Sequence, residues 1–99
     1  MKIPKQFTIF NRTYTVEWMD SDTHLVGAAH GATSLELGRV IVNNEENREC
    51  TEHTYCHELV HALLWAIGQP ELSRNEEFVD LLGAAIHHYH QTKKGELKE

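Results

Sequence analysis

Apolar and polar residues alternate along residues 6–10 and again along 13–18, with Asn11-Arg12 between them as turn chemistry. Period-two alternation on both sides of a short turn predicts a β-hairpin. A polar stretch at 19–23 reads as a loop. Residues 25–35 leave a strand undecided, because Gly27 and Gly31 interrupt the pattern. Residues 39–43, rich in Val and Ile, predict a short strand entered through a turn at Glu36-Leu37-Gly38. The acidic stretch 44–49 then leads into a change of period.

From 51 to 67 the apolar positions follow a helical repeat. Placed at 100° steps, Cys56, Leu59, Val60, Leu63, Leu64 and Ile67 form one broad apolar arc. Gly68 followed by Gln69-Pro70 is a stop signal. A second helix is expected to start at Ser73-Arg74-Asn75-Glu76 and run to His90, with Phe78, Val79, Leu82, Ile86 and Tyr89 on its buried side. The predicted architecture is α+β: a small antiparallel or mixed β-sheet followed by two packed helices in one domain over residues 1–99, fraying from about residue 92.

The chemistry sits beside the apolar arc of the first helix. His57-Glu58-Leu59-Val60-His61 is an HExxH pentapeptide. Residues four apart share a helix face, so two imidazoles can close on one Zn²⁺ while Glu58 stands beside the metal near a bound water. The chain holds 8 His and 15 acidic residues, so the pentapeptide draws its weight from where it lies. It falls at the polar margin of an amphipathic helix, with His57 and His61 next to the arc and Glu58 further round the same open side.

A catalytic zinc usually takes three protein ligands and keeps one position for water. Leu64 and Ile67 occupy the places where a metzincin has Gly and a third His. Asn75-Glu76-Glu77-Phe78-Val79-Asp80 resembles the NExxSD-type motif of thermolysin-like gluzincins, with Val79 in place of the small polar residue. The resemblance covers residues 51–88 and extends to the small single-domain HExxH metallopeptidases of phages and prophages, more loosely to the ImmA/IrrE type. It implies that Glu76 is the third zinc ligand and that Asp80 accepts the N–H of His57. It also implies an extended peptide substrate lying along an exposed strand, for which residues 30–35 are the candidate. The interval from His61 to Glu76 is shorter than in thermolysin and has room for a tight turn alone, so Glu77 stays open as the ligand. Ser73-x-x-Glu76 also has the form of a capping box, in which Glu76 would serve the helix end.

Other residues carry weaker readings. His53 lies too far along the axis from His61 to share an ion and reads as a first-turn surface residue. His87, His88 and His90 read as a wet C-terminal face, His87 alone sharing the Glu76 stripe. Cys56 reads as a core residue, and Trp65 as packing or a cleft wall. Gly83 is either a point of close helix approach or merely tolerated.

Composition narrows the class. A net charge of −6 with scattered Lys and Arg argues against nucleic acid as a partner. No apolar run is long enough to span a membrane, and the first residues lack an export signal. The expectation is therefore a cytoplasmic protein with reduced Cys50 and Cys56. The function expected is a zinc metallopeptidase using Zn²⁺ on His57, His61 and Glu76, with Glu58 as general base and a peptide or protein as substrate. The alternative is a non-catalytic, zinc-stabilised interaction module.

Overall fold

The computed structural model describes residues 1–19, 31–44 and 47–98. Most of the polar loop and undecided stretch at 19–35, His30 with them, lies outside the described residues. Four strands, β1 (Gln6–Ile9), β2 (Arg12–Met19), β3 (Gly31–Ser34) and β4 (Arg39–Asn43), precede three helices. These are α1 (Arg48–Ala66), the single turn α2 (Pro70–Ser73) and α3 (Glu76–Thr92). The strands form one mixed sheet in the order β1-β2-β4-β3. The β1–β2 and β3–β4 pairs are antiparallel, and β2–β4 is parallel. This is the predicted α+β class.

Each boundary that moved has a local cause. The hairpin register pairs Ile9 with Arg12, so the turn is Phe10-Asn11, and Phe10 takes a positive φ of 55°. Helix α1 starts earlier than the apolar repeat because the Asn47 side chain accepts from Glu49 N at 2.9 Å. It ends where expected, before Gly68 at φ 76°. Asn75, not Ser73, caps α3, accepting from Phe78 N at 3.1 Å. The capping-box reading of Ser73 and Glu76 therefore fails, and both side chains are free for other partners.

Alternation along the strands puts Tyr14, Val40 and Val42 on the inner face of the sheet. They meet Tyr55, Cys56 and Ala62 of α1, with Phe7, Ile9 and Val16 around them. The opposite side of α1 packs Val60 and Leu64 against Val79 and Ile86 of α3. Helix α1 is thus the middle layer of three. A helix enclosed on two sides buries more than one arc, which is why the single-arc description of α1 is too narrow. Its Glu52 and Glu58 are buried, and Ile67, placed on the arc, is exposed.

The face assigned to α3 also changes. Its buried stripe is Val79, Gly83 and His87, whereas Phe78, Leu82 and Tyr89 lie outward. Closeness at Gly83 sets this rotation, because the smallest side chain marks the helix line nearest α1.

Candidate metal centre

His57 and His61 stand one turn apart on α1, their rings 5.1 Å between centroids. Glu76 opens α3 across from them. Its Oε2 lies 3.0 Å from His57 Nε2 and its Oε1 3.4 Å from His61 Nε2. The ligand atoms of the three side chains all fall within 4.8 Å of one another. Among the described residues this is the only group of three or more His, Cys, Asp or Glu so arranged, and Glu77 is not part of it.

The remaining ring nitrogens are already engaged. His57 Nδ1 faces Asp80 Oδ1 at 3.3 Å, and His61 Nδ1 faces Ser73 Oγ at 2.8 Å. An imidazole whose Nδ1–H is donated elsewhere presents its Nε2 lone pair to a metal, and the partner holds the ring in place. Both Nε2 atoms here converge on one carboxylate. Two such imidazoles and a carboxylate oxygen form a donor set that suits Zn²⁺, so these residues fit the metal the pentapeptide implies.

Gly83 decides how near α3 can come. A Cβ there would sit 3.0 Å from both Cα and N of His57. The close-approach reading of Gly83 is the one seen, and it falls at His57 itself. The turn α2 fills the interval between His61 and Glu76, where a plain tight turn was expected, and it places Ser73 under His61.

Glu58 lies against β3. It is 6% exposed and tucked beneath β3, not on an open helix side. Thr33 Oγ1 donates to its Oε1 at 2.7 Å and approaches its backbone carbonyl at 3.3 Å. Gly31 makes this contact possible, since a Cβ there would meet Thr54 Cγ2 at 2.8 Å and Glu58 Cγ at 3.2 Å. Burial raises the Glu58 pKa above the ordinary carboxylate value; the Thr33 hydrogen bond and both imidazoles oppose the rise, and Glu76 adds to it. The carboxylate therefore holds a proton more readily than one in water.

These groups line one open cavity of about 920 Å³, walled by Thr33 and Leu35 on one side and by His57, His61, Trp65, Glu76 and Asp80 on the other. No family model, curated protein or solved structure matches this chain. The centre has to be read from its own geometry.

Two histidines sit differently from their sequence readings. His53 lines the cavity instead of the outer surface, its buried Nε2 3.5 Å from Asp80 Oδ1 without a hydrogen bond. His87 is buried, not wet, and does not reach the cavity. Its Nε2 lies 3.0 Å from Glu52 Oε1, while Arg48 Nε reaches Glu52 Oε2 at 3.0 Å. Burial pushes the Glu52 carboxyl up, but hydrogen bonds from His87, Arg48 and the Met1 amino group together bring it below the ordinary value. Cys56 is a core thiol that burial, with the Glu52 charge, pushes up to about 11; Cys50 is free and exposed. Trp65 forms a cleft wall.

Sequence reasoning missed Ser73, Thr33 and Glu52. Ser73 carried a signal, a Ser twelve residues after His61 beside a helix start, but it was assigned to capping. Thr33 carried none, because its partner comes from another layer; Glu52 carried only the i, i+4 spacing to Arg48, which says nothing of its pairing with His87 across the layers.

No helix is long and apolar enough to cross a membrane among the described residues.

Proposed function

We propose that this chain is a zinc-dependent peptidase, with His57, His61 and Glu76 holding the metal and Glu58 as general base. The observation that carries the reading is the convergence of three metal donors, with both imidazoles already braced on their far side, next to a buried carboxylate in one cavity. A zinc bound there supplies Lewis acidity, polarising a carbonyl oxygen and lowering the pKa of water. Three protein donors would leave one position on a bound zinc for water, as catalysis needs and a closed structural site does not.

Glu58 takes a proton from a water in the cavity as that water attacks the peptide carbonyl carbon. It then returns the proton to the departing nitrogen, so its own state is restored. Thr33 fixes the carboxylate by donating to Oε1, which leaves Oε2 for the water. Burial makes Glu58 the stronger base. Asp80 and Ser73 hold the two rings.

The substrate is an extended peptide added to the outer edge of β3, which pairs with β4 alone among the described residues. Gly31, Thr33 and Leu35 face the cavity at that edge.

Glu58→Gln tests the reading. Glutamine keeps shape but accepts no proton, so zinc content should stay at about one per chain while hydrolysis slows about 10²–10⁴-fold. Candidate proteins from the native host are incubated with each form and the fragments compared by mass spectrometry. Identical fragments from wild type and Glu58→Gln would remove Glu58 from the chemistry.

A further inference from the structure

Among the described residues, helix α3 is covered on one side only: it packs against α1 and α2 and touches no strand. Its outward face is nevertheless apolar: Leu81 is 65% exposed and Tyr89 61%, with Phe78 and Leu82 more than a third exposed. The order along the chain is regular. Phe78, Leu82, Ala85 and Tyr89 follow one another at intervals of 4, 3 and 4, the spacing of a coiled-coil seam. At 100° per residue these four lie within about 60° of one another on the helix surface. Glu76 and Asp80 lie two residues before Phe78 and Leu82, so they turn to the opposite side, toward the cavity.

We propose that two copies of this chain associate through this face, α3 against α3 in antiparallel orientation about a two-fold axis. Antiparallel seams pair one spacing class with the other. Phe78 then meets the second copy's Tyr89, and Leu82 meets its Ala85. The small residue lets the helices approach at the centre while an aromatic pair closes each end.

Charge selects the occupant and the direction. The first turn of α3 is acidic, with Glu76 and Glu77, while His88, His90, Lys93 and Lys94 gather at its end. A parallel pair would set acid on acid. An antiparallel pair sets Glu77 beside His88 of the second copy, since both residues flank the seam on the Leu81 side. Helix dipoles also oppose favourably in that arrangement. The contact is self-complementary, as a two-fold interface requires. One helix face is smaller than a standard interface, so the dimer is a reversible one in the micromolar range. It leaves the cavity of the candidate metal centre open, and it stands whether or not that centre is catalytic.

Sedimentation velocity on the full chain, from low to several hundred micromolar, tests the proposal. A concentration-dependent dimer is expected, with Leu82→Glu raising the dissociation constant at least about 10-fold, or roughly 1.4 kcal/mol. Circular dichroism and Tm identify a misfolded variant, and Leu81→Gln, at a more exposed site, gives the same comparison if Leu82→Glu fails to fold. Glu77→Lys and His88→Glu should each weaken the dimer, and the double variant should restore it. A monomer at every concentration, or a dimer indifferent to Leu82→Glu and Leu81→Gln, overturns the interface. Single charge changes without effect, or a double variant without rescue, overturn the antiparallel pairing.

Discussion

The interface between α1 and α3 carries two histidine–carboxylate clusters, one at each end, with roles reversed. At the open end α1 supplies imidazoles, His57 and His61, and α3 supplies the carboxylate, Glu76. At the closed end α1 supplies the carboxylate, Glu52, and α3 supplies the imidazole, His87. The residue types are the same, yet the counts differ. Glu52 receives donors from His87, Arg48 and the Met1 amine, so its demand is met within a buried site. The open end has two Nε2 atoms for one carboxylate, and their far nitrogens are already satisfied. Surplus donor capacity facing a cavity is what sets the open end apart from the closed one, and it is what the proposed metal site rests on.

The sharpest way to break the comparison is to remove a ligand from the open end. His61→Ala should lower zinc affinity well beyond the roughly 10–100-fold loss that follows removal of a ligand's supporting partner. Competition against a chromophoric chelator measures it, and unchanged affinity would erase the distinction between the two ends.

The closed end should respond in stability instead. Glu52→Ala strands a buried imidazole and should cost about 3 kcal/mol in a denaturant titration, with zinc affinity intact. The Glu52 pKa is lowered on folding, so its contribution is complete above the ordinary carboxylate range and fades as pH falls through the lowered value. The stability gap between wild type and Glu52→Gln should therefore narrow toward acid. A gap that widens there would contradict the assigned partners.

Gly83 lies on the line between the ends. Gly83→Ala places a methyl 3.0 Å from the His57 backbone and should cost about 1–3 kcal/mol as the helices part. Because the displacement starts at His57, zinc affinity should fall with it. Stability lost without any change in affinity would confine Gly83 to packing.

The smallest effects sharpen the description of the open end. Asp80→Asn and Ser73→Ala should each weaken zinc by about 10-fold, the lower part of the range for such partners. Asp80 faces both His53 and His57, so Asp80→Asn should be the larger of the two. The reverse order, read by the same competition assay, would make Ser73 the stronger brace.

What could be read from the chain divides along the same lines. Helices α1 and α3, the hairpin and β4 are encoded by local period, capping and stop residues. Helix spacing pairs His57 with His61, whereas Glu76 and Asp80 come from the resemblance to the gluzincin motif, with which their shared stripe on α3 agrees. The face of α3 was misjudged because its apolar residues do not all point inward. Phe78, Leu82 and Tyr89 satisfy the helical repeat as well as Val79 does, and only the close approach at Gly83 chooses between them. Burial of Glu58 depends on β3, whose Gly-Ala-Thr-Ser has no apolar alternation and a single β-branched residue, Thr33. The Glu52–His87 pair spans 35 residues and two layers, beyond any local pattern.

The middle position of α1 has a consequence for how the molecule opens. Central amides of a helix enclosed by a sheet on one side and a helix on the other should exchange with solvent at a free energy near that of global unfolding. Helix α3, covered on one side, can detach at a lower free energy while the sheet and α1 stay folded. On that expectation His57 and His61 belong to the slowly exchanging layer and Glu76 to the one that opens first. The three donors can therefore be separated, and reassembled, by a local opening that leaves the Glu58–Thr33 contact closed.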